Sequence, residues 1–468
     1  MKQQQLEGPA RPQRQFKWPP PQPLSSPSSF SPMPQQPQQF ILPSMQAVQD
    51  QPTQCMPLQP PTRKRGRQHS QRRPRGKRLR RWVLCTTIVM LIVVILFTQG
   101  NGVLGARAAD LMRAVVGPTI TAQVESWFLG ASDNFHQAQY KLSGQHVTAP
   151  WTVESTQMAT PSASTSQAQV LAPMALSRIV PIVTPSLAGE GIWIPTDYTS
   201  SPFHLPRVAK TFLRPDLVRP YATVTLLQFD TRFIALHMVA GTSEPGGPRG
   251  IAGSGRIPAA DQQGNALLAA FNGGFKYADG QYGMQVNGIV YVPPQPRAAT
   301  IAVTKEGQIL LGAWGVDPQL RSGNTDLVAW RQNASLLIDH GTINSLANDG
   351  AAWGGTILNR TYTWRSGLGI TASGNLLYAA GDSLSALTLG KALSAAGAVM
   401  AMQTDINPFW VRAFLYNRDT NRTLQITRLN PGMQGSGTEY LDGTERDFFY
   451  LTRAVPNLPA QKGSRYVP

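Results

Sequence analysis

The feature that most constrains this chain is a charge-free apolar segment that directly follows a dense run of basic residues. Residues 82–97, WVLCTTIVMLIVVILF, contain no Asp, Glu, Lys or Arg. Extended to residue 104, the segment is long enough to cross a hydrocarbon core of about 30 Å, which takes about 20 helical residues. The sequence therefore predicts one transmembrane helix at residues 82–104.

The basic run at residues 63–81 contains eleven Lys or Arg and no acidic residue, and it holds most of the net charge of +17. Basic residues beside a spanning helix mark its cytoplasmic end, where anionic lipids attract them. An Arg-rich arm can instead neutralise nucleic-acid phosphates, but the adjoining apolar segment favours the membrane interpretation. We therefore expect membrane lipids, and no nucleic acid, as partners of residues 63–104.

This pattern predicts a single-pass protein of the cell membrane with a cytoplasmic N-terminus and an extracytoplasmic C-terminal domain. Residues 1–62 are dominated by Pro, Gln and Ser, and such segments have too little apolar surface to fold. Together with the basic run they form a cytoplasmic tail at residues 1–81, whose Pro-rich part can recruit a cytoplasmic partner through polyproline helices. Both cysteines, Cys55 and Cys85, precede the exported part, which is therefore expected to fold without disulfides.

The exported part divides by composition into four segments. We expect juxtamembrane helices at residues 105–140, a Ser/Thr/Pro-rich linker at 141–188, a folded domain at 189–458 and a C-terminal tail at 459–468. In the folded domain, alternating apolar residues between Gly and Pro predict strands at Arg207–Leu213, Ala222–Phe229, Phe233–Val239, Ala266–Phe271, Ile289–Val292, Thr300–Val303, Ile309–Ala313, Ser335–Ile338, Leu368–Thr371, Leu376–Ala380, Val399–Gln403 and Val411–Tyr416. Only Thr388–Ala396, followed by Gly397, has a convincing helical pattern. Many strands and few helices predict an α+β fold that is β-rich with mixed sheets.

Three segments differ from ordinary core sequence, although no standard nucleophile elbow, phosphate-binding loop or zinc-binding helix is present. The first is Asn272-Gly273-Gly274-Phe275, at the end of an apolar strand. Paired glycines allow a close approach of the backbone to a ligand, and the Asn side chain offers both a donor and an acceptor. The alternative is a tight hairpin turn, for which Asn-Gly is a strong signal.

The other two segments each bring a charged side chain to the end of an apolar strand. Arg365 precedes a Gly-rich strand and can present its planar guanidinium to a phosphate or carboxylate; alternatively it is a surface residue beside a bulge. Asp405 follows the apolar run at residues 398–402, with Asn407 two residues later. Asp405 can act as a general acid or base, or bind a metal together with Asn407. The alternative is a turn-forming Asp.

The order and spacing of the three segments resemble the phosphodiester glycosidase family over about residues 265–416. The matching features are the Asn-Gly-Gly-Phe motif, the Arg before a Gly-Ile strand, the strand and acidic turn at Leu376–Asp382 with the Thr-Leu helix after it, and the final Asp. The resemblance implies hydrolysis of a sugar phosphodiester, with Asn272, Arg365 and Asp405 as catalytic residues and Asp382 as a second carboxylate. It also implies that substrate is bound by Gly273, Gly274, Phe275 and Asn407.

The chain departs from the family pattern at two places. Lys276 stands where the family has a second Phe, and Asp405-Ile-Asn-Pro-Phe replaces Asp-Gly-Gly-Gly-Ser. The expected function is a membrane-anchored hydrolase that acts on a sugar phosphodiester of cell-surface or extracellular glycans. The altered loop keeps open a non-catalytic glycan- or phosphate-binding module, and the Pro-rich tail keeps open a membrane scaffold. The sequence identifies no cofactor and leaves the metal requirement unknown.

Overall fold

The computed structural model describes residues 131, 133–144, 146–152, 174–196, 207–247, 250–353 and 362–454. The predicted tail at 1–81, the transmembrane helix at 82–104 and the C-terminal tail at 459–468 lie outside the described residues, as do most of the juxtamembrane helices. Among the residues that are described, no helix is long and apolar enough to cross a membrane.

The described chain is built mainly from short strands. In chain order these are β1 (Ile194–Pro195), β2 (Val208–Leu213), β3 (Val224–Phe229), β4 (Ile234–Val239), β5 (Leu267–Asn272), β6 (Met284–Val286), β7 (Ile289–Val292), β8 (Ala299–Thr304), β9 (Ile309–Ala313), β10 (Leu327–Asn333), β11 (Leu336–Asp339), β12 (Thr342–Ile343), β13 (Thr363–Thr371), β14 (Leu376–Leu384), β15 (Ala398–Gln403), β16 (Ala413–Arg418), β17 (Leu424–Arg428) and β18 (Phe448–Arg453). The helices are Ala386–Ala395 and Glu439–Asp442, the 3-10 helices are Tyr277–Asp279, Ser345–Asn348 and Gly350–Trp353, and residues 133–142 are also helical.

The strands form three sheets. The first has eight strands in the order β1-β2-β3-β14-β13-β15-β11-β12, the second has the order β17-β16-β5-β18-β4, and the third has the order β7-β6-β10-β8-β9. Every pairing among the described strands is antiparallel. The predicted β-rich α+β class is confirmed, but the sheets are antiparallel and not mixed. The described chain has few of the helical crossovers that parallel neighbours require.

The first sheet separates two parts of the apolar core because its strands alternate between the two faces. In β14, Leu376, Tyr378 and Ala380 pack toward the other two sheets, whereas Leu377 and Ala379 pack toward the helix Ala386–Ala395. Side chains of successive strand residues point to opposite faces. Residues 376, 378 and 380 of β14 therefore face the sheets, and residues 377 and 379 face the helix.

The helix Ala386–Ala395 confirms the one helix that the sequence predicts, and its local sequence explains where it begins. The Ser385 hydroxyl accepts a hydrogen bond from the Thr388 N–H, and the Thr388 hydroxyl accepts one from the Ser385 N–H, which forms a capping box. The helix packs closely on β13 because β13 has glycines there: a Cβ at Gly367 would lie 3.2 Å from the Leu389 side chain. This close packing helps to position β13, the strand that contains Arg365.

Residues 174–188, which the sequence analysis assigns to a linker, instead pack on the domain. Met174 and Ile179 are buried in the core on the helix side of the first sheet, and Val183 is buried as well. The buried ion pair of Arg214 and Glu190, with 2.8 Å between Nη2 and Oε2, also binds this segment, since Arg214 donates to the Val183 carbonyl. The boundary at residue 189 therefore falls too late, because the segment contributes apolar side chains despite its Ser- and Pro-rich composition.

Candidate active site

Asn272 ends β5 and lies at the centre of a buried hydrogen-bond network between the first and second sheets. Its amide nitrogen donates to the Ser366 hydroxyl at 2.9 Å and to the Gly273 carbonyl at 3.0 Å. Its carbonyl oxygen accepts from the Tyr378 hydroxyl at 2.9 Å and from the Arg412 N–H at 3.3 Å. Burial raises the pKa of Tyr378, which keeps this donor protonated. The side chain of Asn272 thus joins the sheets and has no bond left for a substrate.

Gly273 and Gly274 follow Asn272 and bind a buried carboxylate. The Gly273 N–H donates to the Asp447 carbonyl at 3.0 Å, and the Gly274 N–H donates to Asp447 Oδ2 at 3.0 Å. A Cβ at Gly273 would lie 2.0 Å from Asp447 Oδ2, and neither glycine has a positive φ. The glycines are therefore required by Asp447, and their N–H groups are not available for the substrate binding that the resemblance implies, because both already donate to Asp447.

Asp447 is held in turn by Arg331, which joins the second and third sheets. Arg331 Nε donates to Asp447 Oδ2 at 2.8 Å, and both side chains are 1% exposed. The same guanidinium donates to the Phe275 carbonyl at 2.7 Å. A buried Arg–carboxylate pair that satisfies its remaining donors in this way fixes one backbone path for the Asn272–Phe275 segment. Phe275 itself is buried, which places its ring in the core and not on a substrate surface.

Asn333, at the end of β10, connects this segment to the end of β15. Its Oδ1 accepts from the Phe275 N–H at 3.3 Å, and its Nδ2 donates to the carbonyls of Gln403 and Thr404 at 2.9 and 2.8 Å. The side chain is 0% exposed. Asn333 therefore sets the position at which the chain leaves β15 and enters the turn that contains Asp405.

Asp405 is a buried carboxylic acid in contact with a cation. Its side chain is 3% exposed, its Oδ1 accepts from the Ile406 N–H at 2.8 Å, and its Oδ2 accepts from Arg446 Nη2 at 3.0 Å. Burial raises the pKa of Asp405 to about 6, although Arg446 and the Ile406 N–H act to lower it. A carboxyl group with this pKa exchanges its proton near neutral pH, as a general acid or base must.

The loop after Asp405 is shaped by Asn407 and carries an aromatic side chain over the site. Asn407 Oδ1 accepts from the backbone N–H groups of Phe409 and Trp410 at 2.9 and 2.7 Å, which is a turn-forming role. The Arg446 guanidinium lies 5.0 Å from the centre of the Trp410 ring. Among the described residues, buried Arg446 Nε finds no hydrogen-bond partner, while Nη2 also donates to the Gly274 carbonyl at 2.8 Å.

Arg365 lies on the opposite face of the first sheet from this cluster. In β13, Ser366 points toward Asn272, whereas Arg365 points toward the helix side and donates to Gln403 Oε1 at 2.6 Å and to the Leu384 carbonyl at 2.9 Å. It is 1% exposed, and burial lowers its pKa to about 10, so it remains charged at neutral pH. Arg365 therefore connects β13, β14 and β15 and does not reach a ligand beside Asp405.

Asp382 is also separate from Asp405. It lies in β14, and β13 runs between the two, so two strand spacings of roughly 5 Å each lie between their backbones. Its Oδ2 is 3.8 Å from His136 Nδ1 in the helical residues 133–142, and its side chain is 36% exposed. Asp382 is therefore placed to contact the N-terminal helix, and not as the partner carboxylate that the sequence predicts.

The structure thus brings together Asn272, Gly273, Gly274, Asp405 and Asn407 at one junction of the sheets, without Arg365 and Asp382. Sequence reasoning missed the side chains that complete the junction, which are Arg331, Asn333, Asp447 and Arg446. None belongs to a recognisable motif, although Arg446 and Asp447 directly precede the aromatic strand β18. Within the described ranges, no group of three His, Cys, Asp or Glu residues is placed to hold a metal ion.

No known protein family matches this chain in sequence, and no curated protein matches it. Among solved structures, it is distantly similar to the catalytic domain of zebrafish N-acetylglucosamine-1-phosphodiester alpha-N-acetylglucosaminidase, auto-inhibited by its pro-peptide, at 14% identity over 56% of this chain and 87% of that chain, with a TM-score of 0.34. A hypothetical protein from Synechocystis matches at 13% identity over 50% of this chain and 59% of that chain, with a TM-score of 0.30. An exported protein from Burkholderia pseudomallei matches at 12% identity over 49% and 74%, with a TM-score of 0.26.

Proposed function

We propose that this chain is a membrane-anchored hydrolase that cleaves a sugar phosphodiester of cell-surface or extracellular glycans. The observation that carries the proposal is the placement of Asp405, a buried carboxyl group whose pKa is raised to about 6 and which lies 3.0 Å from the guanidinium of Arg446. A proton donor beside a cation suits a substrate whose leaving group is an anion.

In this reaction, protonated Asp405 donates its proton to the oxygen that joins the sugar to the phosphorus. The bond between the sugar carbon and that oxygen breaks, the phosphate monoester leaves, and a water molecule adds to the sugar carbon. The water gives up one proton, so a base is also required. Asn272 acts indirectly, because its bonds to Ser366 and Tyr378 hold the junction together.

Arg446 takes the phosphate-binding role that the sequence analysis gives to Arg365. While Asp405 is ionised, its carboxylate occupies Arg446 Nη2. Once Asp405 is protonated, Arg446 Nη2 loses its ionised partner and can donate to a phosphate oxygen. Protonation of the acid and binding of the anion therefore favour each other, which predicts activity on the acidic side of pH 6.

The membrane location of the proposed hydrolase rests on sequence. The charge-free residues 82–97 follow eleven basic residues, which supports an anchor with the domain outside. Anchoring would keep the domain near glycans of its own cell surface.

The experiment that tests the proposal is hydrolysis of a panel of sugar-1-phosphodiesters by the full-length chain in membranes, with and without a chelator. We expect turnover by the wild-type chain and none by Asp405→Asn, which should still bind substrate. The chelator arm establishes whether a metal is needed. A folded wild-type chain that retains glycans without hydrolysing any substrate would contradict the proposal and favour the non-catalytic binding module.

A further inference from the structure

The proposed hydrolysis requires a second acid–base group, and a carboxylate outside the predicted set belongs to a loop that is hydrogen-bonded to the residue before Arg446. Glu244 belongs to the loop that follows β4. Its backbone N–H donates to the Glu445 carbonyl at 2.9 Å, and the N–H of Ser243 donates to the same carbonyl at 3.2 Å. These two bonds align the loop with the residue before Arg446, so Glu244 and Arg446 come from adjacent chain segments.

The carboxylate of Glu244 is held by the backbone just after the Asn272–Phe275 segment. Glu244 Oε2 accepts a hydrogen bond from the Tyr277 N–H at 2.8 Å. Arg446, which contacts Asp405, donates to the carbonyl of Gly274, three residues before Tyr277. Glu244 and Asp405 are therefore tied to the same stretch of chain, Glu244 directly and Asp405 through Arg446.

Glu244 differs from Asp405 and Asp447 because one of its carboxylate oxygens accepts no hydrogen bond from a described residue. Both oxygens of Asp405 and both oxygens of Asp447 accept hydrogen bonds. In the part of the chain that the structure describes, Glu244 accepts only at Oε2. The side chain is half-buried, so the second oxygen, Oε1, can be reached by a water molecule.

The charges around Glu244 favour a group that can gain a proton during a reaction. Burial raises the pKa of Glu244 and the nearby Asp447 raises it further, while the Tyr277 N–H, Arg446 and Lys276 act to lower it.

We propose that Glu244 is the general base of this site, which accepts a proton from the water that adds to the sugar carbon while Asp405 protonates the departing oxygen. This assignment rests on the proposed function. One O–H bond of water breaks and its proton moves to Glu244 Oε1. The sugar carbon–oxygen bond breaks, and the proton of Asp405 moves to the phosphate oxygen. Exchange of one proton from Glu244 to Asp405 through solvent then restores both groups.

The test compares Glu244→Gln, Glu244→Ala and the exposed control Glu306→Gln in the full-length chain, with the best substrate of the phosphodiester panel. Glu244→Gln keeps an oxygen that can accept from the Tyr277 N–H but cannot accept a proton. We expect kcat to fall roughly 100-fold or more with little change in KM, and the rise of the rate with pH on the acidic side to disappear. Sodium formate, a small carboxylate, should restore part of the turnover of Glu244→Ala.

Two results would overturn the assignment alone while the wild-type chain is active. One is a Glu244→Gln chain that stays within tenfold of wild type and keeps the acidic limb of the pH profile. The other is a folded Glu244→Ala chain whose lost activity is not restored by formate. A wild-type chain without turnover would overturn the proposed function itself, and the assignment with it.

Discussion

The raised pKa of Asp405 predicts that ionised Asp405 lowers the free energy of unfolding of the wild-type chain at neutral pH. Burial raises the pKa from 3.8 to about 6, and each pKa unit corresponds to about 1.4 kcal/mol, so ionised Asp405 costs the folded state about 3 kcal/mol. Between these two pKa values the folded chain keeps a proton that the unfolded chain has lost. The free energy of unfolding therefore falls as pH rises from about 4 to about 6, and stays lower above that.

The substitution Asp405→Asn removes the ionisable group and keeps its size and an oxygen for Arg446. We expect the variant and the wild type to be about equally stable at pH 4. At pH 7.5 the variant should be more stable by up to about 3 kcal/mol. The measurement is urea unfolding of both full-length chains in a mild detergent at several pH values.

The control for this experiment is Asp326→Asn, because the Asp326 side chain is 65% exposed and its nearest basic group, Lys305 Nζ, is 3.8 Å away. Its stability difference from wild type should stay within about 0.5 kcal/mol at every pH. A stability difference for Asp405→Asn that does not change with pH would refute the reasoning, as would a wild-type chain that is the more stable one at pH 7.5.

Three further predictions follow from the site and from the topology. Gly273→Ala should lower the free energy of unfolding by about 3 kcal/mol, because the new Cβ would lie 2.0 Å from Asp447 Oδ2 and disturb a buried ion pair. The control for this substitution is Gly390→Ala, in a helix with its nearest contact at 3.3 Å, which should change stability by no more than about 1 kcal/mol in denaturant unfolding. Arg446→Met should raise KM roughly 10- to 100-fold and move the fall in kcat to higher pH, because Arg446 lowers the pKa of Asp405; an unchanged pH profile would contradict this. Protease added outside intact cells should leave residues 1–81 protected and cut from the predicted linker at 141–188 onward, whereas protection of the C-terminal domain would contradict the orientation.

Much of the fold could be predicted from the sequence because most of its strands have a simple burial pattern. The twelve predicted strands and the helix at Thr388–Ala396 all correspond to elements of the structure. Alternation in β4 and apolar runs in β5 and β14 are local signals that survive in the folded chain. Strand pairing, by contrast, joins residues far apart in the sequence, so the division into three sheets could not be read from it.

The strands that the sequence analysis missed explain why the candidate site was only half predicted. β10 contains Arg331, Gln332 and Asn333, all buried, and buried polar residues conceal a strand because they break the apolar pattern. β18 was missed as well, and it directly follows Arg446 and Asp447. The Arg331–Asp447 pair joins residues 116 positions apart, and no local pattern reports a contact at that separation.

Arg365 illustrates a different limit of sequence-based prediction. The sequence indicates an unusual residue there, but it does not indicate which face of the sheet the side chain occupies. The sequence correctly marks Arg365 as unlike ordinary core. Whether an Arg on a strand faces a site or the far side of the sheet depends on the register and on one bulge between Thr363 and Arg365, and a change of one residue reverses the face. The cation at Asp405 is instead Arg446, from a distant loop.

Hydrolysis of a sugar-1-phosphodiester by the full-length chain in water enriched in oxygen-18 shows which bond the protein cleaves. We expect cleavage between the sugar carbon and its oxygen, so the label should appear in the released sugar and not in the phosphate monoester. We also expect no labelled product from the Asp405→Asn chain. Label in the phosphate, or equal turnover by Asp405→Asn, would contradict the assignment of Asp405 as the acid at the sugar–oxygen bond.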